Sequence, residues 1–501
     1  MSRFEVVDDR TPVVVGAAEV VHRAGEGFEP ASATELLLEA VGTAMATTTV
    51  ADALGPLVGE VLVPHGTWVE PDPGRALALA IGAPGARSVR SELGVPQLSL
   101  LARACSAVAA GDLEASVVAG AENRWSGVVA AKEGKAVPEP PAAATAQAPD
   151  EEIHPKGIVV SPVEIERNLT TAAHQYAIIE SALRHELGRT VEEHQRWLGE
   201  LWSGFAAVAA QAPAAWDQRG LGPDDIAVPS PTNRLIAAPY PKWLVSQWNV
   251  DQGAALVVTS AGVARRLGIP EDRWVLPLGI ALSDLVVTMP EREELHRWPA
   301  MAACGRALFD HTGVAPDAVA DAPVDLYSCF PVAVQVQARE LGLAPTRPLT
   351  LTGGMTFAGG PFNNYSLQGA AAMVRHLRGR PDPGIGLTTA VSGFLTKPAA
   401  VLWSTDAPTA PYATLDVTET ARATTAVRPV DPDLTGPARV VGATAVPGRD
   451  GALTAIVVVE SSAGVRTVAQ STVAELGARI VAEDVVGAEV VVTEPGVIGS
   501  T

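Results

Sequence analysis

The side chains able to do chemistry in this chain are few, and they fall in a handful of short stretches. Its three cysteines, Cys105, Cys304 and Cys329, show no metal-ligand spacing and are too few for a disulfide framework. Cys105 shares a spacing of three and four with Leu98, Leu101 and Val108, so it falls on the apolar stripe of a helix and reads as an inert core thiol. Ser328 and Cys329 stand just before Pro331, a residue that opens helices, and a helix N-terminus would make their surroundings electropositive. The alternative is a pair of small residues packed beneath a loop. A glycine-rich loop, Gly353–Pro361, then runs into Asn363, Asn364 and Tyr365. Amides placed there either bind a carbonyl or phosphate oxygen or simply suit a tight turn. Lys397, in FLTKP, is an anion contact or a strand end. The nine histidines are scattered without an HExxH pattern; His154, His174, His185 and His194 lie in or beside a helical stretch and read as surface or capping residues.

The elements that must position these groups follow from periodicity. Strand patterns occupy Thr11–Val20, Leu57–Val63 and Ala115–Ala119, with helical segments at Ser32–Ala44 and between Pro96 and Gly111. Residues 125–150 are rich in Ala and Pro and read as a loop. Two long helical segments, Val163–Leu187 and Val191–Ala210, form an inserted module before a strand at Asp251–Thr259. A second series repeats the order: strand Trp274–Leu282, helix Ala302–Asp310, strand end Asp325–Tyr327, helix Val332–Leu341, the glycine-rich loop, helix Ser366–Leu377, and strands Gly386–Ser392 and Ala399–Trp403. Two such series predict a duplicated α/β unit. After Ser404 the chain turns Thr- and Val-rich, with strands at Ala452–Glu460, Val465–Val473 and Glu489–Thr493 and a hairpin signal at Arg449–Gly451. This stretch predicts a separate small β domain, a partly open barrel.

A length of 501 residues exceeds what one core organises, so two or three domains are expected. With 36 basic and 56 acidic residues the formal charge is -20, which argues against nucleic-acid and anionic-membrane partners. A local basic pocket for a nucleotide phosphate remains compatible with it. The opening MSRFEVVDDR lacks a signal-peptide layout, and no apolar run approaches the roughly 20 residues of a membrane span. A soluble, cytoplasmic protein is expected.

Segment by segment, the chain resembles the thiolase superfamily over residues 10–405. VVAGAEN at 117–123 looks like the thiolase strand that ends in a glycine–glutamate turn, and the stretch from Pro239 to Pro270 resembles the return from the thiolase loop domain. YSCFPVAVQVQARELGL is similar to the His-Asp-Cys-Phe segment of sterol-carrier-protein-linked thiolases, and GGMTFAGGPFNNY takes the place of the family's Gly-His-Pro loop. The appended β domain and the GGP–NNY form resemble thiolase-like proteins of type 1. The resemblance implies a duplicated five-layer αβαβα fold: an N-terminal half (1–123 plus 245–272), a helical loop domain (124–244), a C-terminal half (273–405) and a small OB-like β domain (406–501).

The same resemblance implies where catalytic groups should stand. Counting back from the turn at Gly111 puts the nucleophilic cysteine's position at Gly94. Cys105 comes 11 residues later, roughly 16 Å along a helix. Gly360 stands where the loop histidine would be, Val391 where the second cysteine would be, and Tyr327 where an Asn or His opens the third motif; Phe330 is retained. A thiolase-fold protein of acyltransferase ancestry that lacks thiolase activity is therefore expected. Its pocket candidates are Tyr327, Ser328, Cys329, Asn364 and Tyr365. Coenzyme A or an acyl-CoA is the expected ligand, with Arg234, Tyr240 and Lys242 near its phosphates; the bland reading leaves Arg234 and Lys242 solvating a loop. No metal or covalent cofactor is expected, and both a monomer and a homodimer fit. Two other functions stay open: a scaffold that recruits a partner protein through the C-terminal domain, and a carbon–carbon lyase using Tyr327 and Tyr365, as in thiolase-fold aldolases.

Overall fold

The computed structural model describes Phe4, residues 7–25 and residues 27–499. The first half builds a six-stranded sheet from β1 (Pro12–Val21), β2 (Val58–Pro64), β3 (Arg87–Ser91), β4 (Ala115–Asn123), β5 (Glu151–Ile153) and β6 (Asp251–Ser260). Their order is β1-β6-β4-β2-β3-β5. β4 and β6 are buried along nearly their whole length, as expected of strands covered on both faces. Helix α1 (Ala33–Ala46), started by a Ser32–Glu35 capping box, packs on the outer face. Helix α2 (Gln97–Ala110) lies on the inner face and ends at Gly111, which takes the left-handed conformation of a helix C-terminus.

Between β4 and β6 comes the insertion. The stretch expected to be a loop carries a helix, Arg124–Glu133, and then β5, which pairs parallel with β3 and so extends the first sheet. The expected helix Val163–Leu187 is broken: a short turn at Pro162–Glu166 precedes α3 (Ala172–Glu186). Helix α4 (Val191–Gln211) starts at a Thr190–Glu193 capping box.

The second half repeats the first. Strands β7 (Leu276–Leu282), β8 (Val324–Asp325), β9 (Ile385–Ser392), β10 (Lys397–Ser404) and β11 (Ala413–Asp416) form a sheet of order β8-β9-β10-β7-β11. In the first sheet β1 pairs antiparallel with β6, β6 antiparallel with β4 and β4 parallel with β2, and in the second β7, β10, β9 and β8 repeat that series. Helix α5 (Pro299–Thr312) covers the outer face, followed by α6 (Pro331–Glu340). Helix α7 (Tyr365–Arg378) is the counterpart of α2. Both α2 and α7 touch both sheets, so they form a shared middle layer, and the five layers run helix, sheet, helix, sheet, helix. The two middle helices are correspondingly apolar on nearly every side: Leu98, Leu101 and Cys105 of α2 share one cluster with Leu367, Met373 and Val374 of α7.

β11 lies beyond Ser404 yet joins the second sheet, and the last domain begins at Gly436. There β12 (Gly436–Pro447), β13 (Leu453–Glu460), β14 (Arg466–Ser471), β15 (Glu489–Glu494) and β16 (Val497–Ile498) form a closed barrel in the order β12-β13-β14-β16-β15, not a partly open one. Closure comes from β12, whose start pairs with β15 and whose remainder pairs with β13. Helix α8 (Ala474–Ala482) packs on β12 and β13.

Candidate functional site

Gly94 closes the loop that feeds α2; it is partly exposed and adopts φ +95°. A side chain there would be strained by the backbone and would meet Pro155 at 3.1 Å. Cys105, by contrast, lies deep in α2, and burial pushes its thiol up; Cys304, in α5, behaves alike. Cys329 does stand at the opening of α6, but its thiol is pushed up to about 12. Burial is the main cause, and the Tyr176 hydroxyl and the backbone N–H of Phe330 offset it only in part. The electropositive setting expected from Pro331 does not produce a reactive thiol, because desolvation of the anion outweighs it.

The two halves meet at the openings of α2 and α7. Gln97, the first residue of α2, accepts the backbone N–H of Ser366 at 2.8 Å and donates to Asn363 Oδ1 at 3.3 Å. Asn363 in turn donates to the carbonyl of His65 at 3.1 Å. Beside it Asn364 is buried against Gly120 of β4, where any side chain would collide with its amide, and among the described residues neither amide atom has a hydrogen-bond partner. The loop before it turns at Gly359 (φ +102°), packed on Gln252, and Gly360 donates its N–H to the carbonyl of Gln247 at 2.8 Å. Val391, near the end of β9, is buried opposite Pro398.

The tyrosines stand together. The rings of Tyr327 and Tyr365 meet edge to face with centroids 5.6 Å apart. Tyr327 is fixed by its backbone: its N–H donates to Thr389 and its carbonyl accepts from Gln337 at 2.7 Å. The Tyr365 hydroxyl lies 2.9 Å from Ser328 Oγ and 2.7 Å from Thr352 Oγ1, and Thr352 Oγ1 donates to the buried Asp325 at 3.0 Å. Since the carboxylate takes the Thr352 proton, Tyr365 donates to Thr352 and accepts from Ser328, which itself accepts from the Met355 N–H. Burial raises the pKa of Asp325, and the N–H groups of Leu351 and Thr352 and the hydroxyls of Thr350 and Thr352 counter it. Gly369 lets α7 close over that carboxylate; a side chain would meet it at 2.8 Å. Spacing in the sequence did not point to Gln97, Thr352 or Asp325, since each acts through a residue 13 to 269 positions away.

A groove of about 880 Å³ opens on the insertion, lined by Arg219, Arg234, Lys242, Trp216, Trp243 and Trp248, among others. Arg219 and Lys242 lie over the Trp243 ring, 4.7 and 4.2 Å from its centroid, and Arg124 lies over Trp248 at 3.5 Å. Partial burial, then the nearby Arg219, lowers the Lys242 pKa; Asp217, paired with Arg219 at 2.5 Å, works against that. Gln247 and Thr356 carry the groove to the glycine-rich loop. Tyr240 does not join Arg234 and Lys242 there. It is fully buried, its hydroxyl donates to Glu180 at 2.7 Å, and its ring packs on Phe330. His194, expected at the surface, is also buried, 2.8 Å from Glu180, whereas His154 and His185 sit at the surface against Glu92 and Asp484. His174 reaches the carbonyl of Asn168. Among the described residues no group of His, Cys, Asp and Glu side chains is arranged to hold a metal ion, and no helix is long and apolar enough to cross a membrane.

No family model matches the chain, and no curated protein does. Solved structures do. A monomeric SCP2-thiolase like protein type 1 from Mycobacterium smegmatis is 27% identical with a TM-score of 0.82, over 99% of this chain and 100% of its own. The Ltp2–ChsH2(DUF35) aldolase is 23% identical with a TM-score of 0.59, over 78% of this chain and 97% of its own. An acetyl-CoA acetyltransferase from Syntrophomonas wolfei is 17% identical with a TM-score of 0.56, over 80% and 100%. The repeated sheet order, the shared helix layer between the sheets and a likeness that runs the length of the chain place this protein in the thiolase-like superfamily.

Proposed function

We propose that this chain binds coenzyme A or an acyl-CoA in the tryptophan-lined groove and does not run the cysteine-dependent acyl transfer of thiolases. The observation that carries the first part is the gathering of Arg219, Arg234 and Lys242 around one groove in a chain of net charge -20. Guanidinium and ammonium groups suit a pyrophosphate and a 3′-phosphate, and indole faces suit an adenine. The acetyl-CoA acetyltransferase that shares the fold supports the choice of ligand. The second part rests on Gly94 and Gly360 standing where sulfur and imidazole are expected, and on three thiols whose anions burial disfavours.

Binding is tested by thermal shift, because a ligand held by the folded state raises Tm by mass action. Coenzyme A should raise Tm, and changing Arg234 and Lys242 together to Ala should weaken binding at least about tenfold, or ~1.4 kcal/mol. No shift at millimolar coenzyme A would favour the scaffold role of the barrel instead. Thiolysis of acetoacetyl-CoA should stay at background; turnover that depends on a cysteine would overturn the second part.

A carbon–carbon lyase is the second reading. Tyr327 and Tyr365 favour it: two hydroxyl-bearing rings in contact, one of them wired through Thr352 to a buried carboxylate, could pass a proton during cleavage of a β-hydroxyacyl-CoA. Tyr365→Phe should abolish that cleavage, and an unchanged rate would end this reading.

A further inference from the structure

A second cavity, of about 100 Å³, lies in the second half between the β9–β10 hairpin, the opening of α5 and residues 424–426. A space of that size holds several waters, and so a phosphate or carboxylate group. Arg292 lines it and is 5% exposed. Two of its nitrogens are fixed: Nε donates to the carbonyl of Val287 at 3.2 Å, and Nη2 donates to the carbonyl of Phe394. The third, Nη1, has no hydrogen-bond partner among the described residues, and no carboxylate of those residues comes within ion-pair distance of Arg292. Burial lowers its pKa only to about 10, so the group is a cation at neutral pH. The other charges of the lining are accounted for. Glu340 holds Arg297 at 2.7 Å, Arg428 holds Glu293 at 2.5 Å, and Glu294 is exposed at the lip. Lys397, on the same hairpin, is spent on the carbonyl of Gly94 at 3.0 Å and does not line the cavity. Pro299 and Ala300, the first residues of α5, do line it, and no side chain caps that helix, so its positive end adds to the field of Arg292. A buried guanidinium with an unpaired N–H in the wall of a cavity is costly unless an anion completes it.

We propose that this cavity is an anion site, separate from the tryptophan-lined groove, in which Arg292 holds a small oxyanion at the opening of α5. The oxyanion is a phosphate or the carboxylate of an organic acid; guanidinium N–H groups suit the paired oxygens of either. The site is joined to two other parts of the molecule. Through its side chain Arg292 reaches Phe394 of the hairpin that carries Val391, and through its carbonyl it accepts Arg466 of the barrel. The inference rests on the surroundings of Arg292 and does not depend on coenzyme A binding.

Calorimetric titrations with inorganic phosphate and with acetate, near neutral pH and at constant ionic strength, test it. They are run on the full chain and on its Arg234→Ala/Lys242→Ala variant, whose groove has lost two cations. At least one anion should bind both proteins; phosphate alone would assign a phosphate ligand, and acetate alone a carboxylate. Ala426 is exposed where it lines the cavity, so Ala426→Asp sets a carboxylate at the mouth without disturbing the core. Added to the double variant, it should weaken binding at least about tenfold by like-charge repulsion. Arg292→Gln should weaken it as much. Absence of heat with either anion, binding confined to the chain with an intact groove, or an affinity unchanged by Ala426→Asp would each overturn the proposal. A failure of coenzyme A to bind would leave these results unchanged, so the two readings fail separately.

Discussion

Cys329 sits at a helix opening, where oriented N–H groups favour a thiolate, yet its thiol is pushed up to about 12. At pH 8 that leaves roughly one molecule in 10⁴ as thiolate. The folded protein should therefore leave all three cysteines unmodified by an aromatic disulfide reagent at pH 8, and expose them together on unfolding in guanidinium. Absorbance of the released thiolate follows this directly, and rapid native labelling of Cys329 would contradict the burial argument. The same competition explains which site residues could be read from the sequence. That Gly94 and Gly360 lie in loops leading into α2 and α7 was legible, because glycines and helix ends punctuate the chain. Tyr240 was not: it lies two residues from Lys242, a spacing that shares a face in a strand, but its strand is two residues long and gives way to a 3₁₀ turn at Lys242. The turn breaks the alternation, and the tyrosine points inward to Glu180. Nor were the groove tryptophans legible. Five of the ten tryptophans lie between residues 197 and 248, a concentration that core packing alone would explain equally well.

Among the elements, the repeated strands and middle helices were legible because their apolar periods are strong, and the barrel's hairpins announced themselves by turn residues. β5 was not, since three residues, two of them acidic, carry no strand period. Its pairing depends on side chains from elsewhere: Glu152 bridges Arg90 at 2.6 Å, and Glu151 bridges both Arg87 and Arg103. This short charged strand covers β3, which would otherwise present an open sheet edge. A covered edge predicts a monomer by light scattering. Changing Glu151 and Glu152 together to Ala should loosen β5 and produce self-association that grows with protein concentration. A double variant that stays monomeric at high concentration would show that β5 does not guard the edge.

For the whole molecule, the question is what ties the barrel to the thiolase-like body, since composition announced the barrel but said nothing of its seat. β12 lies along α3: the Ala443 N–H donates to Ser181 Oγ at 2.9 Å, and Gly442 has no room for a side chain beside Ile178. On the other side Arg466 donates to the carbonyls of Arg292 and Glu293, reaching into the second half. Asp484 completes the seat by pairing with Arg184 at 3.0 Å and His185 at 2.7 Å, both on α3. Although its partial burial alone would raise the Asp484 pKa, His185 and Arg184 together hold it below the ordinary value. A depressed carboxyl pKa stabilises the folded state above the unfolded-chain value near ~3.9, and that contribution is lost as the pH falls through the lower folded value. The pair is partly exposed, so it contributes about 1 kcal/mol or less. Asp484→Asn should therefore lower Tm slightly at pH 7, and the gap from the parent protein should close as the pH is taken below about 3.9. Melting curves of both proteins across that range decide it: a gap that persists undiminished in acid would mean the substitution acts through packing at the seat, not through the charge of Asp484.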